Sequence, residues 1–267
     1  MSAITASATT GEYEDFCATV LETTGVELAL YRRSQMERRA LSFARHAGLA
    51  GLGEYGDLIR RDAAARACFM QQLTINVSQL WRNPAHWIAL EHFVVPELMA
   101  SHRTLRAWCA GVSYGAEAYT LAALCSEVLT GAKVEIVGTD IDRRMVERAR
   151  AGAFSGEDAR TMPSAQRQRW FTERDGMLHA DPKLKALCRF ETGDLLTMRP
   201  ARQAYDLVLC RNTVIYFNAE VKDALHARLA EALVPGGYLM VGSTERVAEP
   251  GALGLQTTHP FVYRKVS

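Results

Sequence analysis

From Leu105 onward the chain alternates short apolar runs with helix-length segments, and few folds accept that pattern. LRAWCAG (105–111), VEIVGTD (134–140), CRFETGD (188–194), YDLVLCR (205–211) and GGYLMVG (236–242) each end at a glycine, an aspartate or another polar residue. AEAYTLAALCSEVL, RRMVERARAG and AEVKDALHARLAEAL lie between them. Strands alternating with helices imply right-handed βαβ crossovers and a mostly parallel, Rossmann-like α/β sheet. The final run, LQTTHPFVYRKV, follows a strand with no helix between and is expected to turn back antiparallel. Residues 155–187 interrupt the rhythm with RWFTERDGMLHADPK, which suits an inserted helix and a small β-hairpin. Before Pro84 the pattern is helical throughout, so residues 12–83 read as a small all-α domain and 84–267 as the α/β domain.

In an open α/β sheet, ligands bind outside the carboxyl ends of the strands, near the point where strand order reverses. Gly111-Val-Ser-Tyr-Gly115 is a glycine-bearing turn of that kind; it serves either a ligand or the turn itself. It is neither the GxGxxG dinucleotide fingerprint nor a phosphate-binding P-loop. Asp140 ends the next strand and is suited to accept two ribose hydroxyls, while Asp142, ahead of RRMVERAR, is expected to cap a helix. Asp194-Leu195 fits the amine edge and face of adenine, or a solvated turn. Cys210-Arg211-Asn212 brings an arginine to the end of a buried strand, where it needs an anionic partner. A glycine loop, a ribose acid and an adenine acid without a phosphate site fit an adenosine ligand lacking a polyphosphate, of which S-adenosylmethionine is the obvious case.

Composition removes other classes. Lys+Arg number 31 against 30 Asp+Glu, a net charge of +1 that gives no broad nucleic-acid surface. No apolar stretch approaches the ~20 residues of a membrane span, and the first fifteen residues do not read as a secretory signal. Cys17, Cys68, Cys109, Cys125, Cys188 and Cys210 are scattered singly, without metal-ligand spacing, as expected of reduced thiols in a cytoplasmic protein. No metal site is expected.

LTINVSQLWRNP (73–84), AGVSYGAEAYTLA (110–122), VGTDID (137–142), LVLCRNTVIYF (207–217) and PGGYLMVGSTE (235–245), in that order, resemble the CheR family of chemotaxis-receptor glutamate methyltransferases. The similarity runs from about residue 12 to 265 and includes GVELALYRRSQMERRALSFARHAGL. The resemblance implies a class I methyltransferase sheet with an antiparallel last strand. It also implies methyl transfer from S-adenosylmethionine to glutamate carboxylates, with S-adenosylhomocysteine as product. By motif position, Asn76, Ser78, Arg82, Gly111, Glu117, Asp140, Asp194, Leu195, Cys210, Arg211 and Asn212 are similar to the family's cofactor contacts. Arg211 and Tyr216 resemble the pair lining its methyl-transfer site. The chain departs from the family's Gly-Cys-Ser-Thr-Gly-Glu-Glu-Pro, reading Gly-Val-Ser-Tyr-Gly-Ala-Glu-Ala, so Tyr114 and Ala116 are its own. It carries Ser78 for a usual Thr, Asp194 for a usual Asn, and Gly-Ser-Thr-Glu for Gly-His-Ser-Glu.

Segment 30–47 places Arg32, Arg38, Arg39 and Arg45 on one helical arc. Such a stripe is either a solvated face or, as the resemblance implies, a docking surface for the acidic helical cytoplasmic domain of a chemoreceptor. The compact 155–187 insertion reads as the form that does not grip a C-terminal tether peptide. Two other readings stay open. One is a non-catalytic adaptor that binds S-adenosylmethionine or a nucleotide; the other is a small-molecule or nucleic-acid methyltransferase on the same fold.

Overall fold

A computed structural model describes residues 10–73, 78–101, 103–129 and 131–266. The chain forms two compact units, one of residues 1–75 with 216–221, the other of residues 76–215 with 222–267.

The first unit contains α1 (Thr10–Thr24), α2 (Arg33–His46), α3 (Leu52–Arg61) and α4 (Ala63–Leu73). Phe16 anchors its core, stacked on Tyr55 and edge-on to Phe69, each at 5.8 Å between ring centroids. The N-terminus of α3 has no capping side chain of its own. Glu12 supplies one from α1, accepting the N–H of Leu52 at 2.8 Å and of Gly53 at 3.3 Å. Residues 216–221 join this unit by strand-like pairing with 30–32. Asn218 N–H reaches Leu30 O at 3.0 Å, Arg32 N–H reaches Tyr216 O at 3.0 Å, and the rings of Tyr31 and Phe217 meet at 5.1 Å.

The second unit opens with α5 (Pro84–Ala89), a π-helical turn over Leu90–Val94, and α6 (Val95–Ser101). There follow β1 (Thr104–Ala110), α7 (Ala116–Val128), β2 (Lys133–Asp140), α8 (Arg143–Ala151) and β3 (Ala153–Phe154). Next come α9 (Ser164–Trp170), β4 (Phe171–Arg174), β5 (Met177–Ala180), α10 (Pro182–Leu187), β6 (Cys188–Thr192) and β7 (Tyr205–Cys210). The chain ends with α11 (Ala219–Ala232), β8 (Leu233–Val241), β9 (Leu255–His259) and β10 (Val262–Lys265). The main sheet runs β6-β2-β1-β7-β8-β10-β9. Strand order reverses between β1 and β7, and the five strands β6, β2, β1, β7 and β8 are mutually parallel. The expected single return strand is instead a hairpin. Pro260 and Phe261, at φ +67°, turn the run back, so that β10 inserts antiparallel beside β8 and β9 takes the edge. The 155–187 insertion contains the expected helix and hairpin, and β3 completes a three-stranded sheet β3-β5-β4. The sequence reading put the unit boundary after Asn83; the compact unit starts at Asn76, because residues 80–82 are hydrogen-bonded into the sheet unit.

His226 of α11 is 0% exposed, and neither ring nitrogen has a protein hydrogen-bond partner. Burial first, and nearby Lys222 second, lower its pKa to about 4 from an ordinary 6.5. The unfolded chain therefore takes up the extra proton as pH falls through 6.5, and this residue's contribution to stability is lost toward pH 4. His226→Leu removes two unsatisfied nitrogens and should stabilise the protein by about 1–2 kcal/mol at pH 7. That gain should grow by about 2 kcal/mol at pH 5. Urea denaturation at the two pH values checks it; a variant less stable than wild type at both contradicts it.

Candidate active site

The carboxyl ends of the five parallel strands share one edge of the sheet, and Gly111, Asp140, Asp194, Leu195, Arg211 and Asn212 lie at those strand ends or in the loops that follow them. Gly111 follows β1 with φ +80°, and the N–H groups of Gly111 and Val112 converge on Thr139 O at 2.9 and 3.0 Å. A Cβ at position 111 would lie 2.3 Å from Thr213 Oγ1. Glycine is thus what lets the loop after β1 touch the loop after β7.

Asp140 ends β2 and is buried. Its Oδ2 accepts the N–H of Ser113 at 2.7 Å and its Oδ1 that of Asp142 at 2.9 Å, so one carboxylate fastens the glycine loop. Burial raises its pKa, and these N–H donors pull the other way. Each oxygen keeps a lone pair for a further donor. Asp142 caps α8 by accepting Arg144 N–H at 3.0 Å.

Glu117, in the first turn of α7, is ion-paired to Arg211 at 3.1 Å, with side-chain exposures of 11% and 2%. Arg211 Nη2 also donates to Arg82 O at 2.8 Å and Asn83 Oδ1 at 3.4 Å, and the guanidinium lies 5.2 Å from the Trp87 ring centroid. Arg211 Nε is buried without a partner. Burial raises the Glu117 pKa against the pull of Arg211. The pair engages only Oε2 of Glu117.

Residues 78–83 form a strap laced to this unit. Leu80 N–H donates to Asp158 O at 2.8 Å, Thr161 Oγ1 to Leu80 O at 2.7 Å, and Trp81 N–H to Thr120 Oγ1 at 3.0 Å. Trp87 Nε1 donates to Arg82 O at 3.0 Å. Trp81 and Asn83 have φ +55° and +56°, a conformation costing non-glycine residues ~1–3 kcal/mol each that persists only where the surroundings over-determine it. Tyr114, one of the departures in the glycine loop, adds to this lacing. Its buried hydroxyl donates to Ser78 O beneath the Arg148 guanidinium, 3.9 Å from its ring centroid. The substitution exchanges a small loop residue for a fastening of the strap.

Glu245, after β8, received no role in the sequence reading. Its buried carboxylate accepts the N–H groups of Gly242 at 2.7 Å, Asn212 at 2.8 Å and Val214 at 3.1 Å, fixing the turn after β7. Burial raises its pKa, opposed by those donors. The signal was the acid ending PGGYLMVGSTE, in the loop beyond the end of β8.

The other expected residues are placed as follows. Cys210 is wholly buried within β7, Asn212 is half-buried at φ +59°, and Leu195 is buried. Asp194 is half-buried and caps its own turn, accepting Leu196 N–H at 2.8 Å and the Thr197 hydroxyl at 3.4 Å. Asn76 lies outside the described residues. Arg211 and Tyr216 fall in different units, and Tyr216 is half-buried in the pairing with Arg32. On α2, Arg32, Arg38 and Arg45 are exposed. Arg39 differs: it is half-buried and donates to the terminal carbonyls of α4, to Gln72 O and, at 3.1 Å, to Leu73 O, which removes it from the expected stripe. Among the described residues no group of three or more His, Cys, Asp or Glu is arranged to hold a metal ion.

Residues 76–259 match the CheR methyltransferase SAM binding domain, and residues 11–74 match the CheR methyltransferase all-alpha domain. The chain belongs to the CheR methyltransferase family. It is 34% identical over 255 residues to a chemotaxis protein methyltransferase of Listeria monocytogenes, covering 95% of this chain and 97% of that one. A probable chemotaxis protein methyltransferase of Rhizobium etli is 31% identical over 236 residues, covering 84% of this chain and 88% of that one. The cofactor of this CheR domain is S-adenosylmethionine, and the residues present fit it. Asp140 offers acceptor capacity at the end of β2, beside β1, and Glu117 Oε1, left out of the pair with Arg211, suits an ammonium group. No helix among the described residues is long and apolar enough to cross a membrane.

Proposed function

We propose that this CheR protein methylates glutamate side chains of the acidic, helical cytoplasmic domain of a chemoreceptor, giving glutamyl methyl esters. The pairing of residues 30–32 with 216–218 carries this reading. It fastens the entrance of the arginine-bearing helix α2 to the backbone of Tyr216, so a protein docked on α2 is held by the segment that carries the candidate methyl-transfer residue.

The cofactor supplies a methyl group on a positively charged sulfur and leaves as S-adenosylhomocysteine. The nucleophile, with a reference pKa of ~4.3, is ionised at neutral pH, so no general base is required. The protein's part is to bind, orient and exclude water. Asp140 takes the ribose hydroxyls, Asp194 and Leu195 the adenine edge and face, and Arg82 with Glu117 the amino-acid end. Tyr216 O–H orients one oxygen of the incoming carboxylate. Arg211 acts through Glu117 and the strap, as a positioning residue.

Incubation with methyl-labelled S-adenosylmethionine and a purified receptor cytoplasmic fragment should yield label released as methanol by mild base. Cofactor binding without ester would favour the adaptor reading. Arg38→Glu with Arg45→Glu should slow methylation about tenfold at low substrate and low salt, with a smaller effect at high salt. Calorimetric affinity for S-adenosylmethionine should be unchanged, and an unchanged methylation rate would remove the docking surface.

A further inference from the structure

We propose that Arg246 is a carboxylate-binding residue at the mouth of this site, reading an acidic side chain that flanks the methylated glutamate. The proposal rests on the glutamate-methylating function above and adds a substrate contact to it. Arg246 follows Glu245 at the carboxyl end of β8 and is exposed. Its Nη1 donates to Glu245 O at 2.6 Å and Ser243 O at 3.4 Å, and its guanidinium lies 4.2 Å from the Phe261 ring centroid. Among the described residues no carboxylate pairs with it, as is also true of exposed Arg38 and Arg45; what sets Arg246 apart is that its guanidinium is already fixed by two carbonyls and a ring. The adjacent Glu245 carboxylate is spent inward on three backbone N–H groups. Nε and Nη2 of Arg246 therefore remain as donors on a cation already held in place.

Two independent connections put that cation beside the proposed chemistry. Through Glu245, its neighbouring residue grips Asn212 and Val214, which open the turn after β7. Through Phe261, it shares a ring with His86, stacked at 4.7 Å; the next residue, Trp87, lies against the Arg211 guanidinium. Phe261 itself is held at φ +67°, a strained conformation of the kind that clusters at functional sites. His86 is lowered to about 4 by burial and by Arg211, so it is neutral at pH 7 and Arg246 is the cation of the stack. A planar guanidinium backed by an aromatic face and two carbonyls presents its free edge to a carboxylate with little further ordering. An acidic receptor helix brings such carboxylates within reach of its methylated glutamate.

The test compares wild type, Arg246→Gln and Arg246→Lys on a receptor fragment and on the same fragment with the flanking acids changed to glutamine. Arg246→Gln should raise KM for the acidic fragment about five- to tenfold, with kcat and S-adenosylmethionine affinity within about twofold of wild type. Arg246→Lys should fall between. The neutralised fragment should show no difference among the three proteins. Fluorescence anisotropy of the labelled fragments, with no turnover, measures the same contact whether or not ester forms. Absence of ester in wild type would therefore sink the functional reading without deciding this one. Equal fragment affinities for wild type and Arg246→Gln would overturn the proposal. So would a loss that persists on the neutralised fragment, or one confined to kcat and cofactor affinity, which would mark Arg246 as loop scaffolding.

Discussion

Arg211→Met should destabilise the second unit by about 3–5 kcal/mol and abolish measurable cofactor binding. The substitution removes the cation from Glu117 while leaving that carboxylate buried, and it strips the donors from Arg82 O and Asn83 Oδ1. An uncompensated buried charge is the expensive outcome; removal of both partners is far cheaper. Arg211→Met with Glu117→Leu should therefore recover most of the stability, because two apolar side chains replace the pair. It should not recover cofactor binding, since the ammonium partner and the strap's clamp are both gone. Urea denaturation and calorimetry separate the two effects. A double variant as unstable as the single one would show that the ion pair is not what holds Arg211 in place. A single variant that binds S-adenosylmethionine normally would deny it the positioning role.

Glu245→Ala should cost about 3 kcal/mol or more and reduce methyl transfer over a hundredfold. Three backbone N–H groups, those of Val214 and Gly242 buried and that of Asn212 half-buried, lose their acceptor at once, each worth ~1 kcal/mol or more. Glycine at 242 is what lets that carboxylate reach the turn, because a Cβ there would lie 2.6 Å from Glu245 Oε2 and 2.9 Å from Asn212 N. The turn over 212–215 is consequently free to leave its positive-φ geometry, and the reaction loses the near-attack alignment worth several of the ~7–11 kcal/mol available from orientation. Glu245→Gln keeps one oxygen but aims an amide N–H₂ at a backbone N–H, so it should lose less stability while still impairing turnover. Thermal denaturation with single-turnover kinetics checks both variants. Activity in Glu245→Ala within a few-fold of wild type would show that the turn does not depend on this acid.

The parts of the fold carried by local pattern were legible. Apolar runs ending in polar residues marked the parallel strands, and strand-end acids marked Asp140 because its position follows from the period of the sheet. Interactions between residues distant in sequence were not. Glu245 reaches back to residues 212–214, and Gly111 is required by Thr213 as well as by the positive φ of its own turn. Helical periodicity put Arg39 in line with Arg38 and Arg45, yet the end of α4, 33 residues later, captures it. Proline 84 marked a helix start but not a unit boundary, because the strap before it is held by side chains at 114, 120 and 161. The departure from the family pattern at Tyr114 supplies one of those fastenings.

Mass spectrometry of a receptor cytoplasmic fragment, after incubation with this protein and S-adenosylmethionine, tests the central claim most directly. The account predicts peptides gaining one methyl group on glutamate side chains, reversed by mild base. Methylation confined to lysine, arginine or cysteine, or a cofactor-bound protein that leaves every glutamate unmodified, would contradict it.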